Sequence, residues 1–173
     1  PGQVLELNPR LEYKRDVQFK FVEGFETGSE LALDVDNDDQ TSLKRISDTV
    51  FEGGHAGQME VDTMHPVMEV ASLQKFTLPK SGVPIYIELH YRNSIEFDVG
   101  LLAINSSTGE RVRAYRVRFR TRDDWNKVYI NMVNEVRQLN ADQFRLLVGT
   151  FIPPDGSQLK GTVQIDNVKL LHP

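Results

Sequence analysis

The stretch TVQIDNVKLL, residues 162–171, decides the fold class, because it reads as an apolar β-strand interrupted by an acid and an amide. Val163 and Ile165 follow the alternation of a half-buried strand, and Asp166 and Asn167 break it before the apolar run resumes. A carboxylate inside such a strand must be hydrogen-bonded, paired or bound to a metal, since an isolated buried charge is very costly. The stretch therefore predicts a packed sheet in which the Asp166 carboxylate has a specific bonding partner.

Strand patterns also fill most of the remaining chain. Ile85, Ile87 and Leu89 fall on one face of a strand predicted over residues 83–91. Other strands are predicted at residues 17–22, 58–61, 97–104, 112–120, 127–132 and 144–151, with turns at 79–82, 122–124 and 153–156. One short helix is predicted near residues 134–140. The pattern predicts an all-β fold, an antiparallel two-sheet jelly-roll β-sandwich, because no crossover helices are available for a parallel sheet.

Length and composition limit the classes of function. The 173 residues fit a single domain over residues 16–173, preceded by an arm or linker remnant over residues 1–15. A net charge of −5 argues against nucleic-acid binding. The absence of cysteine excludes disulfides, thiolate metal sites and cysteine nucleophiles. No apolar run is long enough to span a membrane, and a chain that opens on Pro1 would already have lost any export signal or lipid anchor.

Two motifs point to a known superfamily. The opening segment FETG, residues 25–28, and the closing segment IDNV, residues 165–168, resemble those of galactose-binding-like jelly rolls, which include many carbohydrate-binding modules. Residues 50–57, 86–91 and 125–129 further resemble uncharacterised surface lipoproteins of Bacteroides-type bacteria. The resemblance implies that the first and last strands are neighbours. It also implies a non-catalytic glycan-binding module at the cell surface or in the periplasm.

The resemblance further implies a structural calcium ion where these strands meet, held by Glu26, Asp166 and backbone carbonyls. Ca²⁺ takes six to eight oxygen ligands and would neutralise both acids. Two alternatives stay open for each acid. Asp166 is a bulge residue that accepts backbone N–H bonds, or it contacts a ligand directly, and Glu26 shares these alternatives.

A second acidic motif has part of a calcium-loop pattern. Asp34, Asp36 and Asp38 have the spacing that opens an EF-hand loop. Asp39 then stands where the loop needs glycine, and Arg45 where it needs a closing glutamate. We therefore interpret the segment as a solvated loop.

Four polar residues share the other face of the strand over residues 83–91: Tyr86, Glu88, His90 and Arg92. An aromatic ring can stack on a sugar while Glu, His and Arg bond its hydroxyls, so this face is the candidate glycan site. The alternative is a solvated sheet face with cross-strand charge pairs, for example Glu88 with Arg116 or Arg118.

Two further features extend this candidate site. Arg116 and Arg118 belong to an arginine series, residues 111–122, that would suit the carboxylates of an acidic glycan or protect an edge strand. Its alternation changes phase near Tyr115, which predicts a β-bulge there. Trp125, the only tryptophan, either stacks on a sugar or covers the core.

Motifs of catalysis are missing from the sequence, so no catalytic residue is proposed. The four histidines form no metal-binding pair, and neither a nucleophile elbow nor a phosphate-binding glycine loop is present. The expected partner is a glycan. The alternative is a structural or protein-interaction module of a surface assembly, whose partner would be a surface protein.

Overall fold

The computed structural model describes residues 18–33 and 43–173. The predicted arm, residues 1–15, and the acidic segment with Asp34, Asp36 and Asp38 lie outside these ranges. Within them the chain forms eleven strands and one short helix. The elements are β1 Gln18–Glu23, β2 Leu31–Leu33, β3 Lys44–Ile46, β4 Ala56–Asp62, β5 Val67–Ser72, β6 Tyr86–Asn93, β7 Phe97–Ile104, β8 Arg111–Phe119, β9 Arg122–Asn131, α1 Val133–Gln138, β10 Gln143–Phe151 and β11 Lys160–His172.

The strands form two antiparallel sheets. The first sheet has the order β3-β4-β11-β6-β9, with β1 also paired to β11, and the second has the order β2-β5-β10-β7-β8. The two sheets enclose a shared core, whose largest fully buried side chains include Phe25, Phe97 and Phe144. This architecture confirms the predicted all-β jelly-roll β-sandwich with one short helix.

The last strand changes partner halfway along its length. Residues 160–165 of β11 pair with β4, and residues 168–172 pair with β1. Between them the register against β6 shifts, and Asn167 has a φ of 50°. Asparagine tolerates this left-handed conformation better than most residues, which suits it to a bulge. The first and last strands are therefore neighbours, as the resemblance implied.

The predicted orientation of β6 is also correct. Ile87, Leu89 and Tyr91 lie in the core, so the intervening polar side chains lie on the outward face of the first sheet. No helix among the described residues is both long and apolar enough to cross a membrane.

Several strand predictions were incomplete or wrong. β2 and β3 are three residues each and give no readable alternation, and β5 was also missed. The turn predicted at residues 122–124 is wrong, because these residues begin β9, where Arg122 pairs with Asn93.

Candidate functional site

Asp166 accepts hydrogen bonds from the loop that precedes β4. Its Oδ2 atom lies 3.1 Å from the Phe51 nitrogen and 3.0 Å from the Glu52 nitrogen, and its Oδ1 atom lies 2.7 Å from the nitrogen of Asn167. Burial raises the pKa of Asp166 above its ordinary value, although these three N–H bonds oppose the rise. The carboxylate thus ties the bulge of β11 to the loop over residues 51–55.

Glu26 holds the same loop from the other side. Its Oε1 atom accepts N–H bonds from Gly54 at 2.9 Å and from His55 at 3.2 Å, and these bonds lower the pKa of Glu26. The Arg45 guanidinium donates to the carbonyl oxygens of Phe25 and Glu26, each at 2.7 Å. The Glu26 carboxylate and the carbonyl oxygens of Phe25 and Glu26 are therefore already bonded to N–H donors. We call this region, where the first and last strands meet, the seam.

These contacts do not fit a calcium ion held by Glu26 and Asp166. A calcium ion needs oxygen ligands around it, whereas both carboxylates already accept N–H bonds and the positively charged Arg45 bonds the Phe25 and Glu26 carbonyl oxygens beside them. Nor do the described residues include a group of three or more His, Cys, Asp or Glu side chains that could hold a metal ion. The arrangement favours the hydrogen-bonded alternative for both acids, and calcium binding stays a prediction.

The loop pinned in this way presents an aromatic ring on the outward face of the first sheet. The Phe51 ring stacks on His90 with a centroid distance of 3.6 Å and an interplanar angle of 14°. The Trp125 and Phe51 ring centroids lie 6.0 Å apart, with an interplanar angle of 60°. Trp125 is half-buried and lies outside the core clusters of the described residues, next to an exposed ring. The three rings form a fixed aromatic group.

Glu88 and His90 lie on this face, as predicted, but both are buried. Lys127 Nζ lies 2.8 Å and Lys169 Nζ 3.2 Å from Glu88 Oε1. Burial alone would raise the pKa of Glu88, and the bonds from the two lysines and Tyr129 outweigh it and lower that pKa. Burial, and then the Lys127 charge, lowers the pKa of His90, so the ring is neutral at pH 7.

The suggested pairing of Glu88 with Arg116 or Arg118 is wrong. Both arginines lie on β8, which pairs with β7 in the second sheet. The predicted bulge near Tyr115 is present, because Val99 pairs with Val117 while Gly100 pairs with Tyr115. Arg116 is the extra residue and bonds Glu135 of α1 at 3.4 Å.

The predicted site residues therefore divide between two surfaces. Tyr86, Glu88, His90, Arg92 and Trp125 belong to the first sheet. Arg118 lies on the outward face of the second sheet, where its Nε and Nη2 atoms bond the two carboxylate oxygens of Asp98 at 2.9 and 2.8 Å. The same guanidinium lies 4.8 Å from the centre of the Phe151 ring.

Arg118 is the end of a row of residues that pair directly across four neighbouring strands of the second sheet, β5-β10-β7-β8. The row consists of Glu69, Gly149, Asp98 and Arg118. Tyr115, from the same edge strand as Arg118, reaches over Gly149 and donates its hydroxyl hydrogen bond to Glu69. Burial and the Glu69 carboxylate raise the pKa of the Tyr115 hydroxyl, so it keeps its proton. The ring is 37% exposed and lies across the sheet.

These side chains line a groove of about 240 Å³, called the Tyr115 groove below. The lining residues are Val67, Glu69, Asp98, Tyr115, Arg118, Gly149, Thr150 and Phe151. The acids of the groove are paired, since Asp98 bonds Arg118 and Glu69 bonds Arg113 at 2.8 Å. The groove therefore combines a flat ring with neutralised polar groups, which suits hydroxyl-rich, uncharged ligands.

Sequence reasoning found Arg118 and missed the rest of this groove. The relevant signal was glycine inside apolar strands, at Gly100 and Gly149. A Cβ atom at Gly100 would collide with the backbone of Ala114, and one at Gly149 would lie 3.0 Å from Tyr115 Cζ. Glycine within a strand often marks a place where another group approaches the backbone closely, but the sequence does not identify that group.

Comparison with solved structures gives clear matches. The family 11 carbohydrate-binding module of a Clostridium thermocellum cellulosomal cellulase matches with a TM-score of 0.58 and 12% identity, over 90% of this chain and 95% of that one. A xylan-binding domain from Paenibacillus barcinonensis matches with a TM-score of 0.57 and 13% identity, over 88% and 99%. A family 61 module in complex with β-1,4-galactotriose matches with a TM-score of 0.51 and 14% identity, over 87% and 94%.

The chain has the jelly-roll fold of carbohydrate-binding modules. No protein-family model matches its sequence, and neither does any curated protein. At identities of 12 to 14% the likeness establishes the fold and leaves the ligand to the residues of this chain.

Proposed function

We propose that this chain is a non-catalytic glycan-binding module that holds an uncharged sugar chain in the Tyr115 groove. The observation that carries the proposal is the exposed Tyr115 ring beside the bidentate Arg118–Asp98 pair. A sugar ring presents C–H groups that pack on an aromatic face and hydroxyls that bond to charged side chains. The groove offers both kinds of contact within one row of paired residues.

The comparisons support this class of ligand. Proteins of the same fold include a xylan-binding domain and a module solved with β-1,4-galactotriose. The paired acids of the groove add a preference for neutral over acidic sugars, since no charge in the Arg118–Asp98 pair is left for a ligand carboxylate to neutralise. An extracellular or periplasmic setting is part of the proposal, because polysaccharides of this kind are met there.

Titration calorimetry with xylohexaose, cellohexaose and β-1,4-galactotriose tests the proposal. We expect at least one to bind, and we expect Tyr115→Ala and Arg118→Ala each to weaken that binding at least tenfold. Val112→Ala is the control, because it removes an exposed apolar side chain from the same strand as Tyr115 and Arg118 without lining the groove. Failure of all three sugars to bind, or equal loss in the control variant, would contradict a glycan site in the groove.

A further inference from the structure

The outward face of the first sheet carries a symmetrical arrangement that the groove does not use. Glu88 lies at its centre on β6, between Lys127 on β9 and Lys169 on β11. Each ammonium also lies over an exposed ring: Lys127 Nζ is 4.9 Å from the centre of Tyr129, and Lys169 Nζ is 5.6 Å from the centre of Phe19. We call these five residues the lysine–aromatic face.

The charges of this face do not balance. Two ammonium groups share the single carboxylate of Glu88, and both contact the same Oε1 atom. Glu88 is buried beneath them, whereas the Lys127 side chain is 41% exposed. His90, directly opposite Lys127 in the register, adds no further positive charge because its lowered pKa keeps it neutral. Within the five residues of the face, the two lysines therefore exceed the acids by one positive charge.

The apolar part of the face is open to solvent. Phe19 is 61% exposed and Tyr129 55% exposed, and the strands that carry them are the outer two of four adjacent strands, β9-β6-β11-β1. At roughly 4.8 Å between neighbouring strands, the two rings stand on strands about 14 Å apart. The pinned Phe51 ring lies on the same side of the sheet, stacked on His90. Rings at this spacing suit an extended ligand that crosses the strands.

We propose that the lysine–aromatic face is a second glycan site, for a sugar chain that carries carboxylates. The rings of Tyr129 and Phe19 stack on sugar residues, and Lys127 and Lys169 bind the uronate carboxylates with the charge that Glu88 leaves over. The Tyr115 groove lies on the other sheet and has paired charges, so the two sites select different sugars. This site stands independently of the groove.

Titration of the whole chain with tetragalacturonate, and with cellotetraose as the uncharged counterpart, tests the second site. We expect tetragalacturonate to bind, and to bind more weakly as salt rises from about 20 to about 200 mM, because screening weakens exposed ion pairs. Lys127→Gln and Tyr129→Ala should each weaken it at least tenfold. Lys44→Gln, which removes an exposed lysine elsewhere on the same sheet, should leave it unchanged. Lys169→Gln provides a second charge variant in which Lys127 still neutralises Glu88.

Other outcomes overturn the proposal. Absence of saturable tetragalacturonate binding refutes the site. Loss of binding in Tyr115→Ala, with no loss in the lysine variants, assigns acidic sugars to the groove instead. Equally tight binding of a poly-L-glutamate of the same charge, competing with tetragalacturonate, shows an acidic-peptide surface and also refutes the sugar assignment. Binding of neutral glycans to the groove is measured in a separate titration, so a negative result for one site does not refute the other.

Discussion

The ring of Tyr115 lies against the backbone of Gly149, where any other residue would place a side chain. A Cβ atom on Gly149 would lie 3.0 Å from Tyr115 Cζ and closer still to its hydroxyl. Gly149→Ala should therefore displace the ring, break its bond to Glu69 and weaken glycan binding at least tenfold. Gly28→Ala is the control, since nothing lies within 4 Å of a Cβ atom there. Titration calorimetry measures the glycan affinity of both variants. Equal affinities of Gly149→Ala and Gly28→Ala would contradict the placement of Tyr115.

Glu88 should make a pH-dependent contribution to stability. Its pKa in the folded chain is below the ordinary 4.5, so its contribution is fully present above that value and is lost as the pH falls through the folded pKa. Glu88→Gln should lower the free energy of unfolding at neutral pH by about 1.5–3 kcal/mol, the range for hydrogen bonds to charged groups. The difference from the parent protein should shrink in acid, as measured by urea unfolding.

The control for Glu88 is the exposed pair between Glu60 and Lys44, at 3.2 Å. Glu60→Gln should change the free energy of unfolding by less than about 1 kcal/mol, as for other solvated ion pairs. A Glu88→Gln variant as stable as Glu60→Gln at neutral pH would show that the two lysines do not stabilise the fold through Glu88.

His90 should titrate below its ordinary pKa of 6.5. Because the folded chain resists protonation, stability is full above 6.5 and falls as the pH decreases from there through the folded pKa. NMR titration of the imidazole reports the pKa directly. His90→Phe should keep a ring under Phe51 and remove the loss of stability in this window. Titration of His90 at or above 6.5 would contradict the burial described for it.

The seam between the first and last strands should be insensitive to calcium. Since N–H donors and Arg45 already bond its oxygens, millimolar CaCl₂ and excess chelator should give the same melting temperature. Arg45→Gln should lower the melting temperature by about 2–4 °C, as expected for a loss of about 1 kcal/mol in a chain of this length. Lys44→Gln, on the same strand, should change it less. A calcium-dependent rise would restore the metal site that the resemblance implies.

Local patterns in the sequence were enough to predict the fold class. Strict alternation in β6 correctly assigned Ile87 and Leu89 to the core and Glu88 and His90 to the outward face. The change of phase at Tyr115 correctly predicted a bulge. These features depend on residues close in sequence, where the period of a strand is directly visible.

The candidate site was harder because it depends on which strands meet. Alternation shows that Glu88 and Arg118 both point away from the core, but it does not show that they lie on different sheets. The groove depends on Gly149 and Tyr115, 34 positions apart and on strands separated by β7. Burial also depends on distant contacts: Phe51, from a remote loop, covers His90.

The central position of β11 has a consequence for how the chain is made. β11 joins the pair β3-β4 to the pair β6-β9 and also holds β1, yet it comes after all of them in the chain. During synthesis on the ribosome, the edges of β4 and β6 that pair with β11 lack their partner until residues 160–172 emerge. Since such long-range pairing is slow, a chain stalled before Lys160 should aggregate and depend on chaperones.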